Sequence, residues 1–324
     1  MPARKPAKQK PVLIVQHTHY EHPASIRRGL ESQGIPTLVA HVYKGHKLPG
    51  VKEISGMISM GGPMSVNDED EHAWIAKECR LLRSAITAKL PVVGVCLGGQ
   101  LIAKSLGVQV GLNPRPEVGW HKIELNSKGL KDPIVSVAGP RPTVYHWHLE
   151  NFELPPGAEL LASSTHCPRQ AYRIGKNVYG FQFHPEVDSQ LLGEWFLAED
   201  TEASIHTLRD KHGAESIQTE HTQRKHAVKG EASSLKITAA IGQLFRREEY
   251  TPADRVLSEL LTLAQQRHDQ LCLEIMGSSG KPFQLIGKIY HQMQIDHGEF
   301  VIVQSFDGIL WPIRMDDIAG ISFS

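Results

Sequence analysis

The chain has 324 residues, with 35 Lys and Arg against 35 Asp and Glu, 40% hydrophobic residues and 22% charged ones. Balanced charge removes the long-range field that would draw it to nucleic acid or an acidic membrane, and the length predicts two domains with a core large enough to need no metal or disulfide staple. Four cysteines in a chain of this size exclude a secreted disulfide scaffold.

Residues 1–10 form a basic, proline-broken tail that we expect to be flexible, and no apolar signal segment follows it. No window approaches the roughly 18 apolar residues of a membrane helix, so a cytoplasmic location is expected. From residue 11 onward, short β-branched runs alternate with amphipathic stretches of helical length, the pattern of an α/β fold with a mostly parallel central sheet flanked by helices. Val12 to Gln16 reads as a buried strand, Pro23 to Gln33 as a helix closed by Gly34, Thr37 to Val42 as a strand, and Gly56 to Met60 as a strand running into Gly61-Gly62-Pro63. Trp74, Ile75, Leu81, Leu82, Ala85 and Ile86 mark one face of a helix between Glu69 and Ala88. Val92 to Val95 is a strongly apolar strand, and Leu101 to Leu106 continues as helix. After Val108 the text shifts toward antiparallel strands: His121 to Leu125, Thr143 to His146, Gln170 to Ile174 and Val178 to Phe183.

These readings give a tail at 1–10, an α/β domain at 11–199, a polar and partly helical linker at 200–250, and a small domain at 251–324. The last begins with Thr251-Pro252, an N-cap and first-turn proline, on a helix to about His268. Five short strands follow, with turns at Gly277-Ser278-Ser279-Gly280, Asp296-His297-Gly298 and Asp307-Gly308, which suggests a small closed β-barrel of Sm-like or SH3-like kind.

Gly94-Val95-Cys96-Leu97-Gly98, between an apolar strand and a helix, is a cysteine form of the nucleophile elbow. Glycines two positions either side let the turn pass close to its neighbours, and the helix N-terminus favours a thiolate. A buried structural cysteine would share the strand-end position but not the partners. His184 stands at the end of a second strand, and Glu186, two residues later, can orient its imidazole. Cys96, His184 and Glu186 are therefore the candidate triad.

These residues resemble the class I glutamine amidotransferase family over about Val12 to Phe196. The resemblance is carried by Gly61-Gly62-Pro63, the elbow with Gln100 just beyond it, Trp147-His148 before Leu154-Pro155-Pro156-Gly157-Ala158, and Gln182 to Glu186. Within that family the chain is similar to the free-standing branch related to the amidotransferase part of GMP synthase. The resemblance implies release of ammonia from glutamine through a γ-glutamyl thioester, with no cofactor or metal. It also implies an oxyanion hole from the amides of Gly62 and Leu97, and substrate contacts from Gln100 and His148.

Many relatives carry a short polar segment such as Gly-Asp after the Trp-His pair, where this chain has Leu149-Glu150-Asn151. That difference leaves free glutamine and other γ-glutamyl compounds both open as substrates. Family members that channel ammonia pass it to a synthetase; no Ser-Gly-Gly-x-Asp-Ser loop occurs here, so the acceptor site is expected on a partner chain, or else the protein acts alone on γ-glutamyl amides or peptides. A non-catalytic regulatory protein reusing the fold is a third reading, disfavoured by the intact triad.

Two other signals carry less. His17, His19 and His22 could suggest a metal, but no cysteine or acidic cluster accompanies them, and loop polarity explains them. Gly277 to Pro282 lacks the spacing and the Ser or Thr of a phosphate loop and reads as a hairpin. In the final domain Lys281, Lys288 and Arg314 are balanced by Asp296, Glu299, Asp307, Asp316 and Asp317, so partner docking or oligomerisation is expected in preference to RNA binding.

Overall fold

Val12–Gln16 (β1) is buried along its whole length, as a strand covered on both faces must be. The structure, a computed structural model, describes residues 10–197, 201–213 and 215–246, and strands at 270–276, 282–295, 298–305, 310–314 and 318–323. The chain divides between Arg246 and Arg247 into two compact units.

In the first unit β1 leads to helix α1 (Ala24–Glu31), strands β2 (Thr37–His41) and β3 (Gly56–Ser59), helix α2 (Trp74–Thr87), strand β4 (Val92–Val95) and helix α3 (Leu97–Ser105). Strands β5 (Val110–Lys122), β6 (Glu124–Leu125), β7 (Thr143–Phe152), β8 (Ala158–Ser163), β9 (Ala171–Ile174) and β10 (Val178–Phe181) follow, then helices α4 (Ser189–Leu197), α5 (Thr201–His212) and α6 (Glu220–Phe245). Eight strands form one sheet in the order β2-β1-β3-β4-β10-β9-β8-β6, while β5 and β7 pair separately.

Alternation along the parallel strands sends Leu13, Val15, Met57 and Val92 into a core with Ile75, Leu82 and Leu101 of α2 and α3. Val12, Ile14, Ile58 and Val93 face the opposite way, onto Ile26 and Leu30 of α1 and Ile237, Ile241 and Phe245 of α6. Helices on both faces of a parallel sheet leave the carboxyl ends of the strands as the open edge for a site.

Two sequence expectations change. The stretch around Val178, expected among antiparallel strands, pairs parallel with β4, Val95 lying opposite Phe181, and antiparallel only with β9. A strand inserted between β4 and β9 must satisfy both neighbours, and no periodicity within the strand records which neighbours it has. Residues 200–250, expected as a polar and partly helical linker, do contain helix, but α6, which starts at an N-cap made by Thr219, packs in the core and buries Ile237, Ile241 and Phe245 at i, i+4 and i+8. That narrow stripe is diluted by the charged residues on the other faces, which is why average composition hid it.

In the second unit β11 (Gln270–Met276), β12 (Pro282–Ile295), β13 (Gly298–Ser305), β14 (Leu310–Arg314) and β15 (Ile318–Phe323) form an antiparallel sheet in the order β14-β13-β12-β11-β15. Leu273, Val303 and Ile313 are buried. The helix expected at 251–268 and the three expected turns lie outside the described residues.

Candidate active site

Cys96 is the single residue between β4 and α3, with φ 49° and ψ −108°. A non-glycine residue in such a region stores about 1–3 kcal/mol and persists only where its surroundings hold it. Here its N–H donates to Phe181 O at 2.7 Å and its carbonyl accepts from Gln100 N at 3.1 Å. A Cβ added to Gly94 would lie 2.4 Å from the Gly98 carbonyl, and one added to Gly98 would lie 2.0 Å from Ser59 O. The two glycines are therefore the condition for the elbow to pack on β3. Cys96 Sγ donates to Trp147 O at 3.7 Å and accepts from Gln182 Nε2 at 3.7 Å.

Parallel pairing of β4 and β10 makes the two strands end side by side, so the segment after β10 arrives beside Cys96. There His184 N donates to Tyr145 O at 2.8 Å, and His184 Nδ1 lies 2.8 Å from Glu186 Oε1. The ring stands edge-on to Trp195, centroids 5.2 Å apart. Burial by itself would push the His184 imidazole down, but the Glu186 carboxylate and the adjacent Cys96 sulfur outweigh it and hold it well above its ordinary value. The structure thus brings Cys96, His184 and Glu186 together at the carboxyl edge of the sheet, all three buried. Cys96 and His184 line a cleft of about 840 Å³.

Gly62 and Gln100 also line this cleft, and Leu97, next to Cys96 in the chain, is buried. Gln100 Nε2 is 3.3 Å from both Glu150 O and Gln182 Oε1. His148 reaches the cleft wall with its Nε2 engaged 3.2 Å from Glu117 Oε2. A Cβ on Gly62 would approach Leu97 Cδ2 to 2.8 Å, so the Gly61-Gly62 loop passes the elbow only because it has no side chains.

That loop has a brace that sequence reading missed. His17 Nδ1 lies 3.0 Å from Gly61 O and its Nε2 lies 2.8 Å from Glu78 Oε2, while Ser59 Oγ donates to Glu78 Oε1 at 2.6 Å. Burial would lower the His17 imidazole, yet Glu78 and the Gly61 carbonyl raise it, consistent with a protonated ring donating from both nitrogens. His22 pairs instead with Glu194 at 2.8 Å and His19 is exposed, so the three histidines serve three separate places.

Glu21 was also missed. It is 8% exposed, its Oε2 has no hydrogen-bond partner, and a Cβ on Gly61 would sit 2.0 Å from that oxygen and 2.8 Å from His184 Cε1. Burial pushes its carboxyl up to about 7, with His184 pulling down and Glu186 pushing up. Folded Glu21 therefore holds a proton that the unfolded chain, at about 4.5, releases earlier, so its contribution to stability falls as pH rises from about 4.5 to about 7. Glu21→Gln should leave stability near pH 4.5 unchanged and raise it above pH 7, by at most about 3 kcal/mol. Thermal denaturation from pH 4.5 to 8 checks this, and parallel curves for the two proteins would refute it.

The sequence profile of the family described as Glutamine amidotransferase class-I matches residues 21–203, more than half of the chain. The chain belongs to this family. Among its relatives, the glutamine amidotransferase-like protein YfeJ of Salmonella typhimurium is 36% identical over 179 residues, covering 54% of this chain and 75% of that protein. One subunit of the glutamine-hydrolyzing GMP synthase of Methanococcus vannielii is 31% identical over 189 residues, 57% of this chain and 93% of that one. A glutamine amidotransferase structure from Methylobacillus flagellatus superimposes with a TM-score of 0.64 at 29% identity, over 75% of this chain and 98% of that one. The class I amidotransferase fold is thus that of the first unit. Among the described residues no helix is long and apolar enough to cross a membrane.

Proposed function

We propose that the protein hydrolyses the side-chain amide of glutamine. The observation that supports this best is the strained Cys96 elbow set beside a His184–Glu186 pair, in which the Glu186 carboxylate holds the imidazole well above its ordinary value. In this reading the Cys96 thiolate attacks the carboxamide carbon. The resulting oxyanion takes hydrogen bonds from the Leu97 and Gly62 amides, worth on the order of 3 kcal/mol per donor. His184 gives its proton to the departing amine, ammonia leaves, and a γ-glutamyl thioester remains. His184 then takes a proton from water, whose oxygen attacks the thioester and returns glutamate and free thiol. Glu186 keeps His184 in the tautomer that exchanges protons through Nε2, and Gln100 holds the substrate's glutamyl end.

The relative from Methanococcus vannielii is by name one part of a glutamine-hydrolyzing synthase. By that analogy the ammonia acceptor site lies on a partner chain. We assign the second unit to a small barrel that serves in docking or oligomerisation.

A second reading has its own support. The cleft carries Asp68 and Glu150, has aromatic walls from Tyr20, Trp147 and Trp195, and has no lysine or arginine among its described lining residues. Such a site favours a γ-glutamyl amide whose leaving amine is larger than ammonia and positively charged. Steady-state kinetics of the purified chain with glutamine, γ-glutamyl alkylamines and γ-glutamyl diamines separate the two. A higher kcat/KM for glutamine supports the first reading, a preference for the diamine the second, and no amide cleavage under any condition, with or without partner proteins, refutes both.

A further inference from the structure

Side chains from three places meet in a buried cluster: Glu117 on β5, His146 and His148 on β7, and Gln170 just before β9. None is more than 2% exposed. Glu117 Oε2 lies 3.5 Å from His146 Nδ1 and 3.2 Å from His148 Nε2, and one donor atom from each of the three residues lies within 4.8 Å of the others. The Gln170 side-chain amide stands 2.7 Å from Glu117 Oε2 and 3.5 Å from His148 Nε2.

The group is incomplete as a hydrogen-bond network. Both ring nitrogens of His146, Nδ1 of His148 and Oε1 of Gln170 have no partner. An imidazole buried with neither nitrogen paired loses its hydrogen bonds to water without replacement, which a folded core rarely tolerates without a ligand or an ordered water. The donor spacings point to which. Four ligands at 2.0–2.1 Å around a tetrahedral ion stand about 3.4 Å apart, and the separations of Glu117 Oε2 from His148 Nε2, 3.2 Å, and from His146 Nδ1, 3.5 Å, match that edge. Gln170 Nε2 donates to Glu117 Oε2 at 2.7 Å and to Ser164 Oγ at 3.0 Å, so the amide orients the carboxylate from outside the three-residue donor set.

We propose that Glu117, His146 and His148 form a tetrahedral site, completed by a water, for a divalent cation of the zinc class. Two imidazoles and a carboxylate form the borderline donor set that zinc accepts and that magnesium and calcium do not favour. Ser164 Oγ, 2.8 Å from Glu117 Oε1, supplies the outer hydrogen bond that orients the carboxylate. The role is structural. The separate β5–β7 pair presents the Trp147 carbonyl to Cys96 and the Tyr145 carbonyl to His184 N, and an ion there ties β5 to β7 beside both contacts.

The test uses the full chain purified without immobilised metal or chelator. Elemental analysis should find about one zinc per chain. After chelation, added Co²⁺ should give the intense visible absorption of a tetrahedral site without a sulfur-to-cobalt band. His146→Gln should weaken zinc binding by roughly 100-fold or more. His121→Gln, whose ring lies 5.6 Å from that of His146 but whose Nε2 is 3.1 Å from Val118 O, should bind as the parent does. Because His146→Gln could simply unfold, the cobalt spectrum of the parent decides independently. No zinc and no cobalt binding, which leaves ordered waters as the partners, a six-coordinate spectrum, or a sulfur-to-cobalt band would each overturn the site, as would His146→Gln binding as tightly as the parent.

Discussion

Cys96→Ala is expected to abolish amide hydrolysis, lowering kcat by about 10⁴-fold or more while leaving the folded structure in place. Alanine keeps the backbone that fits the elbow, where φ is 49°, and removes only a sulfur whose contacts are long ones to Trp147 O and Gln182 Nε2, each at 3.7 Å. The nucleophile and the histidine act as one unit, so His184→Gln should cost a similar factor and the double variant little more than either alone. Ammonia release and thermal denaturation measured on the same preparations check both halves of the expectation. A glutamine-derived electrophile should add its mass to the parent chain, with glutamine protecting, and should leave Cys96→Ala unmodified. Retention of most activity in Cys96→Ala would remove the proposed nucleophile.

Gly98→Ala should be the most damaging single methyl in the first unit. Its Cβ would lie 2.0 Å from Ser59 O and 2.5 Å from Ser59 C, and neither atom can give way because Ser59 is paired with Gly94 in the sheet. Overpacking against fixed backbone costs about 3 kcal/mol or more, in contrast to contact with the tip of a flexible side chain. The damage should reach the site as well, since Ser59 anchors Glu78, Glu78 pairs with His17, and His17 holds the Gly61 carbonyl. Gly111→Ala, which meets nothing within 4 Å, should change stability by less than about 0.5 kcal/mol. Urea denaturation of the two variants against the parent tests the contrast. Equal midpoints would mean the elbow is looser than its contacts imply.

Much of the candidate site was legible because its signals are local. A glycine two residues either side of Cys96, an apolar strand before it and a helix after it are all contained in a short window, and the same holds for His184 and Glu186. Backbone strain and helix direction act over a few residues, so spacing alone could express them. Leu97 follows on the same helix and needed no further information, whereas Gln100 was named from the family resemblance.

The remainder depends on contacts between distant segments. That β10 lies parallel to β4 decides that His184 reaches Cys96, and nothing in Val178 to Phe181 records that neighbour. His17 read as loop polarity until Glu78, from a helix 61 residues on, was placed against it. Glu21 gained its high carboxyl only from burial beside His184 and Glu186, and α6 became part of the core only when its narrow apolar stripe met the sheet. The sequence by itself determined the class of fold, the elbow and the identity of the candidate triad, because backbone geometry and side-chain chemistry are written in adjacent residues. Tertiary structure alone decided which groups share a buried space, and with it the His17 brace, the Glu21 carboxyl and the Glu117–His146–His148 cluster, because burial and electrostatic pairing are properties of neighbours that the chain brings together only when folded.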